Sequence, residues 1–119
     1  MKKAEKKLRE YQKKQKKLAA ELSDTGFIWH GSIQWRRLTC GKPHCPCRTN
    51  PGAKHGPYPY WTSKENNRTV SKLLKPEEVR ILEEWVNNRK KMDAVIREMK
   101  KLSKSAFTAA METRMGAKK

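Results

Sequence analysis

Apolar residues near the N-terminus recur at intervals of three and four, which is the spacing of one face of an α-helix. The series consists of Ala4, Leu8, Tyr11, Gln15, Leu18 and Leu22, in which Gln15 is the one polar interruption. Most of the positions between them are Lys, Arg or Glu, so the pattern predicts an amphipathic helix over residues 1–23. Its nine basic residues form either a solvated face or a surface for phosphates, and their number favours phosphates.

A second helical pattern begins at Pro76, a residue that suits the first helical position. Glu77 and Glu78 follow, where the helix dipole favours acids. The apolar stripe then runs through Leu82, Trp85, Arg89, Met92, Ile96, Met99 and Ala106, widened by Val79, Val86 and Val95. We expect a helix over residues 76–107 that packs antiparallel on the first one, and a frayed basic tail over residues 108–119.

Between the helices, over residues 24–75, apolar and polar residues alternate in short runs typical of strands. One strand follows the turn at His30-Gly31, an aromatic strand covers residues 58–63, and a strand over 68–74 returns after a polar turn at 64–67. The predicted class is therefore α+β, a small antiparallel β head flanked by two long helices that form an antiparallel coiled-coil-like arm. Trp35 and Tyr60 are expected in the core of this head. Because two or three short strands are marginal in water, the head needs a further source of stability.

The three cysteines lie within eight residues of one another, and an odd number cannot form a closed set of disulfides. With the following histidine they give the spacing C-x4-C-x-C-x7-H, made of Cys40, Cys45, Cys47 and His55. Thiolate and imidazole are the usual ligands of structural zinc, so we expect these four residues to hold one Zn²⁺ that clamps two strands of the head. His44 is the alternative fourth ligand, but it directly precedes Cys45 and is crowded there.

A catalytic zinc would keep one coordination position open and have a carboxylate nearby. Asp24 and Glu65 are the only acids between Ser23 and Lys75, and the sequence contains no H-E-x-x-H motif. We therefore expect no enzymatic activity.

The run CGKPHCPC from Cys40 is followed by HGPYPYW from His55, a basic hairpin and a long charged helix. These motifs resemble a family of small uncharacterised prokaryotic proteins that shares a CGK-x-x-C-x-C pattern followed by HGPY-x-Y. The resemblance covers roughly residues 31–102 and implies a zinc-ribbon-like or knuckle-like module, loosely associated with phage or mobile elements. The chain departs from the family pattern at Pro46, where a basic residue is commoner, and at Pro59, where a second Tyr is commoner.

The charge balance of the chain indicates a polyanionic partner. Its 119 residues include 29 Lys and Arg against 12 Asp and Glu, for a formal net charge of +17. Such an excess attracts phosphate-rich molecules. Because no apolar run approaches the ~20 residues of a membrane span, we expect a cytoplasmic protein without membrane contact.

Basic and aromatic side chains are interleaved in the predicted head. Basic groups neutralise phosphates, and aromatic rings stack on unpaired bases. We therefore expect a non-enzymatic protein that binds DNA or RNA within a nucleoprotein complex that includes a larger protein. The expected contacts are Arg36, Arg37, Lys42, Arg48, Lys54, Tyr58, Trp61, Lys64, Arg68 and Lys72. Two alternatives are an accessory that docks by its helical arm on a recombinase-type or transposase-type machine, and a ribosome-associated basic protein.

Overall fold

The structure, a computed structural model, describes the backbone of residues 2–117 and the side chains of residues 3–114. In chain order the elements are helix α1 (Lys2–Ser23), strands β1 (Ser32–Leu38), β2 (His55–Glu65) and β3 (Arg68–Leu73), and helix α2 (Pro76–Ala117). The predicted α+β class, with two helices and a small antiparallel sheet, is confirmed. The chain divides into two compact units. We call residues 28–87 the β unit, and the described residues up to 27 and from 88 onward the helical unit.

The three strands form one antiparallel sheet in the order β1-β2-β3. Gln34 lies opposite Tyr60, and Trp61 lies opposite Lys72. Because paired residues share a face and neighbours along a strand alternate, this register assigns every side chain to one of two faces. The tyrosine face carries Gln34, Arg36, Tyr58, Tyr60, Thr62 and Lys64. The tryptophan face carries Ile33, Trp35, Pro59, Trp61, Val70 and Lys72.

Left-handed backbone conformations occur where the chain turns into β3 and where it enters β1. Asn66 and Asn67, between β2 and β3, have φ angles of 52° and 64°, the left-handed pair that a two-residue hairpin needs and that Asn tolerates well. Gly31, before β1, has a φ of 82°, and a Cβ atom there would lie 2.7 Å from Nε1 of Trp61. Glycine is therefore required where the chain enters β1.

The tryptophan face is covered by aromatic side chains and by the first turns of α2. The Trp29 ring lies 6.3 Å from that of Trp61 and 6.2 Å from that of Trp85. Nε1 of Trp61 donates a hydrogen bond to the carbonyl of His30 at 2.8 Å. Leu74, Val79 and Val86 of the β unit are buried, whereas Trp29 is 37% exposed. These residues form a small apolar core on one side of the sheet.

The expectation that Trp35 lies in the core is wrong, because its side chain is 56% exposed. Trp35 pairs with Pro59, whereas the helical residues Ile81 and Leu82 line the sheet near Trp61. Helix α2 therefore packs on the tryptophan face near Trp61, two residues after Pro59 on β2, and leaves the Trp35 ring exposed to solvent. Tyr60 is half-buried.

Helix α2 begins at Pro76, as the sequence predicts. The backbone N–H of Lys75 donates to Oε1 of Glu78 at 3.0 Å, and Nζ of Lys72 donates to its Oε2 at 2.9 Å. The hydrogen bonds from Lys72 and from the Lys75 amide lower the pKa of the Glu78 carboxyl. Glu78 thus caps the helix and ties it to β3.

In the helical unit, α1 and α2 lie antiparallel. One cavity is lined by Tyr11 and Leu18 of α1 with Leu102 of α2, and another by Glu21 with Lys91. Later positions of α1 therefore meet earlier positions of α2. The apolar seam faces inward, with Ala4 and Ala109 buried and the other predicted α1 seam residues half-buried except Gln15, which is exposed.

The expected helix end at residue 107 is wrong, because α2 continues to Ala117. Residues 108–115 contain neither Pro nor Gly, and the burial of Ala109 gives this last stretch a packing role. Lys118 and Lys119 of the predicted tail lie outside the described residues. Over the described part of the chain, neither helix is long and apolar enough to cross a membrane.

Candidate metal centre

The loop between β1 and β2, residues 40–54, which we call the metal loop, brings three cysteines and one histidine together. Cys40 follows the end of β1, Cys47 lies in a single 3-10 turn (Pro46–Arg48), and His55 is the first residue of β2. Leu38 of β1 pairs with His55, so Cys40 and His55 are held at the same end of the sheet. The loop between them folds back through hydrogen bonds from the Cys45 amide to the Lys42 carbonyl and from the Arg48 amide to the Cys45 carbonyl.

The four side chains converge closely enough to hold one metal ion. Their ligand atoms all lie within 4.8 Å of one another. Sγ of Cys40 is 3.6 Å from Sγ of Cys47, and Sγ of Cys45 is 3.3 Å from Nε2 of His55. A disulfide needs an S–S distance of about 2.05 Å, and all three cysteines are free. The four residues that the sequence predicts as ligands therefore lie together as a Cys3His cluster.

The other two histidines lie elsewhere. His44 is exposed and does not belong to the cluster, so the structure favours His55 as the imidazole of this site. Nε2 of His30 lies 3.4 Å from Oε1 of Glu65, and its ring meets the ring of Trp61 edge-on at 5.0 Å. His30 is thus part of the aromatic packing on the tryptophan face.

The thiols of the cluster influence one another's ionisation. A hydrogen bond from the Lys42 backbone N–H to Cys40 lowers the pKa of the Cys40 thiol to about 6. At Cys45 the backbone N–H of Cys47 lowers the pKa, but the sulfurs of Cys47 and Cys40 and burial outweigh it, so the pKa of Cys45 is raised. The Cys40 thiolate forms readily, and its negative charge opposes ionisation of the Cys45 thiol. A bound cation would remove that repulsion, because it stabilises every neighbouring anion.

The structure brings only part of the predicted nucleic-acid set onto one surface. Arg36, Tyr58 and Lys64 share the tyrosine face. The guanidinium of Arg36 lies 4.9 Å above the ring of Tyr60 and donates two hydrogen bonds, at 3.2 and 2.9 Å, to Oε1 of Gln34. Tyr58 is 39% exposed. This face therefore presents aromatic rings beside an ordered cation.

The rest of the predicted set lies in other places. Trp61 and Lys72 lie on the tryptophan face, where Trp61 packs in the aromatic cluster and Lys72 pairs with Glu78. Arg37 lies at an irregularity in the pairing of β1 with β2 and is exposed. The remaining members are exposed as well: Lys42, Arg48 and Lys54 in the metal loop, and Arg68 at the start of β3. Trp61 is thus a packing residue, which composition alone does not reveal.

A groove beside the cluster was not predicted. Its volume is about 350 Å³, and it is lined by Leu38, Thr39, Cys40, Lys42, Cys45, His55 and Tyr58. Leu38 and Thr39 carry no chemical signal of their own in the sequence. Their position follows from the pairing of Leu38 with His55, which the sequence pattern does not specify.

Comparison with known protein families identifies a match. A family model for a domain of unknown function matches residues 6–87, a range that contains the whole sheet and all four residues of the Cys3His cluster. Its description assigns no activity and no link to phage or mobile elements. No curated protein and no solved structure matches the chain.

Proposed function

The chain belongs to the DUF6788 family, a domain of unknown function, and we propose that it is a zinc-stabilised protein that binds nucleic acid through its β unit. The observation that carries the proposal is a basic segment without acids that folds around the Cys3His cluster. Residues 25–64 contain six Lys and Arg and no Asp or Glu. Uncompensated cations beside exposed aromatic rings suit a ligand that combines phosphates with bases.

Zinc is the metal that this ligand set fits best. Three thiolates and one imidazole form a typical structural zinc site, which is tetrahedral with all four positions filled by protein. With Zn–S bonds of about 2.3 Å and Zn–N bonds of about 2.0–2.1 Å, the S···S and S···N edges of that tetrahedron are about 3.8 and 3.6 Å. The distances of 3.6 Å between Cys40 and Cys47 and 3.3 Å between Cys45 and His55 are close to those edges.

The tyrosine face favours an unpaired strand over a duplex. Tyr58 and Tyr60 are two residues apart on β2, so their Cα atoms are separated by about 6.7 Å. Bases stacked on each other rise by only about 3.4 Å per nucleotide. Successive bases can therefore contact both the Tyr58 ring and the Arg36 guanidinium stacked on Tyr60 only when the strand is extended and its bases are unstacked, which a duplex does not permit.

The proposal is tested by measuring the affinity of the full chain for a fluorescent single strand and a duplex over a range of salt concentrations. If about six phosphates are neutralised, log affinity falls against log salt with a slope of roughly −4 for the single strand and −5 for the duplex. Replacing the three metal-loop cations Lys42, Arg48 and Lys54 by Ala should flatten the single-strand slope by about 2.

A charge-matched control has Lys90, Lys100 and Lys104 replaced by Ala, since these exposed α2 residues carry the same total charge. We expect the control to bind more tightly than the metal-loop variant. Affinity that does not depend on salt, or equal affinity of the metal-loop variant and the parent, would contradict direct binding by the β unit. A protein partner that stays bound at high salt would instead support the accessory role.

A further inference from the structure

We propose that the groove beside the Cys3His cluster receives one unpaired base of a single-stranded nucleic acid. This inference rests on the proposed function and names the part of the β unit that distinguishes a base from bare backbone. The groove occupies about 350 Å³, far more than one metal ion with bonds of about 2.0–2.3 Å requires. Cys47, which is buried, does not line it, whereas the other three residues of the cluster do.

The lining of the groove suits both the base and the phosphate of a nucleotide. Leu38 and Tyr58 are 36% and 39% exposed, so an aliphatic side chain and an aromatic ring are available to the flat faces of a base. Lys42 lies at the same groove and is exposed, and the lining contains no acidic residue. A cation beside an apolar slot suits a phosphate attached to a base and disfavours a cationic or purely apolar ligand.

The groove also continues the tyrosine face. Tyr58 lines the groove and stands opposite Arg36 in the sheet, and the guanidinium of Arg36 lies over the ring of Tyr60. A single-stranded nucleic acid that runs along β2 on the tyrosine face therefore places its next base at the groove. The groove is lined by the end of β1, the metal loop and the start of β2, so only a base that has no partner strand can contact all three.

The first test needs no variant of the protein. The zinc-loaded full chain is titrated with an eight-nucleotide strand that is abasic at every position, and with the same strand carrying one central thymine or adenine. We expect the single base to raise affinity between about 5-fold and 150-fold, the effect of one stacked base. Equal affinity for the abasic strand and the one-base strands would overturn the inference. Binding of the abasic strand itself, in DNA or RNA form, would still support the proposed function.

Substitutions then locate the base. Tyr58→Ala should abolish the gain from the single base, measured as the ratio of the affinities for the one-base and abasic strands, and Tyr58→Phe should retain that ratio. The matched control is Trp35→Ala, which removes an exposed aromatic ring from the opposite face and should keep the gain. A gain that survives Tyr58→Ala, or disappears with Trp35→Ala alone, would overturn the assignment.

A second test fills the groove with a large side chain, and its control places the same side chain outside the groove. Thr39→Trp places a ring in the groove and should abolish the gain from the base, whereas Thr49→Trp, at an exposed position of the metal loop outside the groove, should not. The zinc content of each variant, measured alongside, shows that the site is intact. Full retention of the gain in a zinc-loaded Thr39→Trp chain would contradict a base in this groove.

Discussion

At the scale of single residues, the two histidines nearest the cysteines differ in whether they belong to the Cys3His cluster. Nε2 of His55 lies 3.3 Å from Sγ of Cys45, whereas His44 is exposed and outside the cluster. We expect His55→Ala to lower zinc affinity by more than about 100-fold, since even the loss of a group that only supports a ligand costs 10–100-fold. His44→Ala, the matched control, should bind zinc like the parent in a competition titration with a chromophoric chelator. The reverse order of the two variants would contradict the assignment.

The four residues of the Cys3His cluster could be predicted from the sequence because thiol and imidazole chemistry identifies them without any knowledge of the fold. The aromatic residues could not be assigned in this way. Trp35 and Trp61 share the tryptophan face, yet Trp35 is 56% exposed while Trp61 is packed against Trp29. The difference depends on where α2 meets the sheet, a tertiary feature that local alternation of polar and apolar residues does not encode.

At the scale of elements, the seam between α1 and α2 should stabilise the helical unit. Ile96 is a half-buried seam residue, and its neighbour Arg97 is exposed. Ile96→Asp should lower the free energy of unfolding by about 1–3 kcal/mol, because it introduces an unpaired charge among apolar side chains. Arg97→Asp, which introduces the same residue on the exposed side, should cost much less. Circular dichroism at 222 nm during thermal unfolding measures both, and equal melting of the two variants would show that the seam carries no packing energy.

The helices could be predicted better at their starts than at their ends. Pro76 and the acids after it identify the beginning of α2, because capping chemistry is local. The C-terminal extension of α2 to Ala117 has no such signal. It depends on propensity and on the packing of Ala109, and a composition of Thr, Ala, Met, Glu and Arg fits both a helix and a frayed tail.

At the scale of the whole molecule, the Cys3His cluster and the proposed binding surface both belong to the β unit. The β unit has three short strands and a small core on one side, so little apolar burial stabilises it. Structural zinc in small modules contributes on the order of 10–16 kcal/mol, comparable with the roughly 5–15 kcal/mol by which whole domains are stable. Zinc should therefore decide whether the tyrosine face and the groove exist as a surface.

Zinc titration of the chelated full chain, followed by its affinity for a fluorescent single strand at fixed salt, tests this coupling most directly. We expect affinity to rise with added zinc and to reach its plateau at one zinc ion per chain, while Cys47→Ser shows no rise over the same range. An affinity that is the same with and without zinc, or a plateau reached at another stoichiometry, would contradict it.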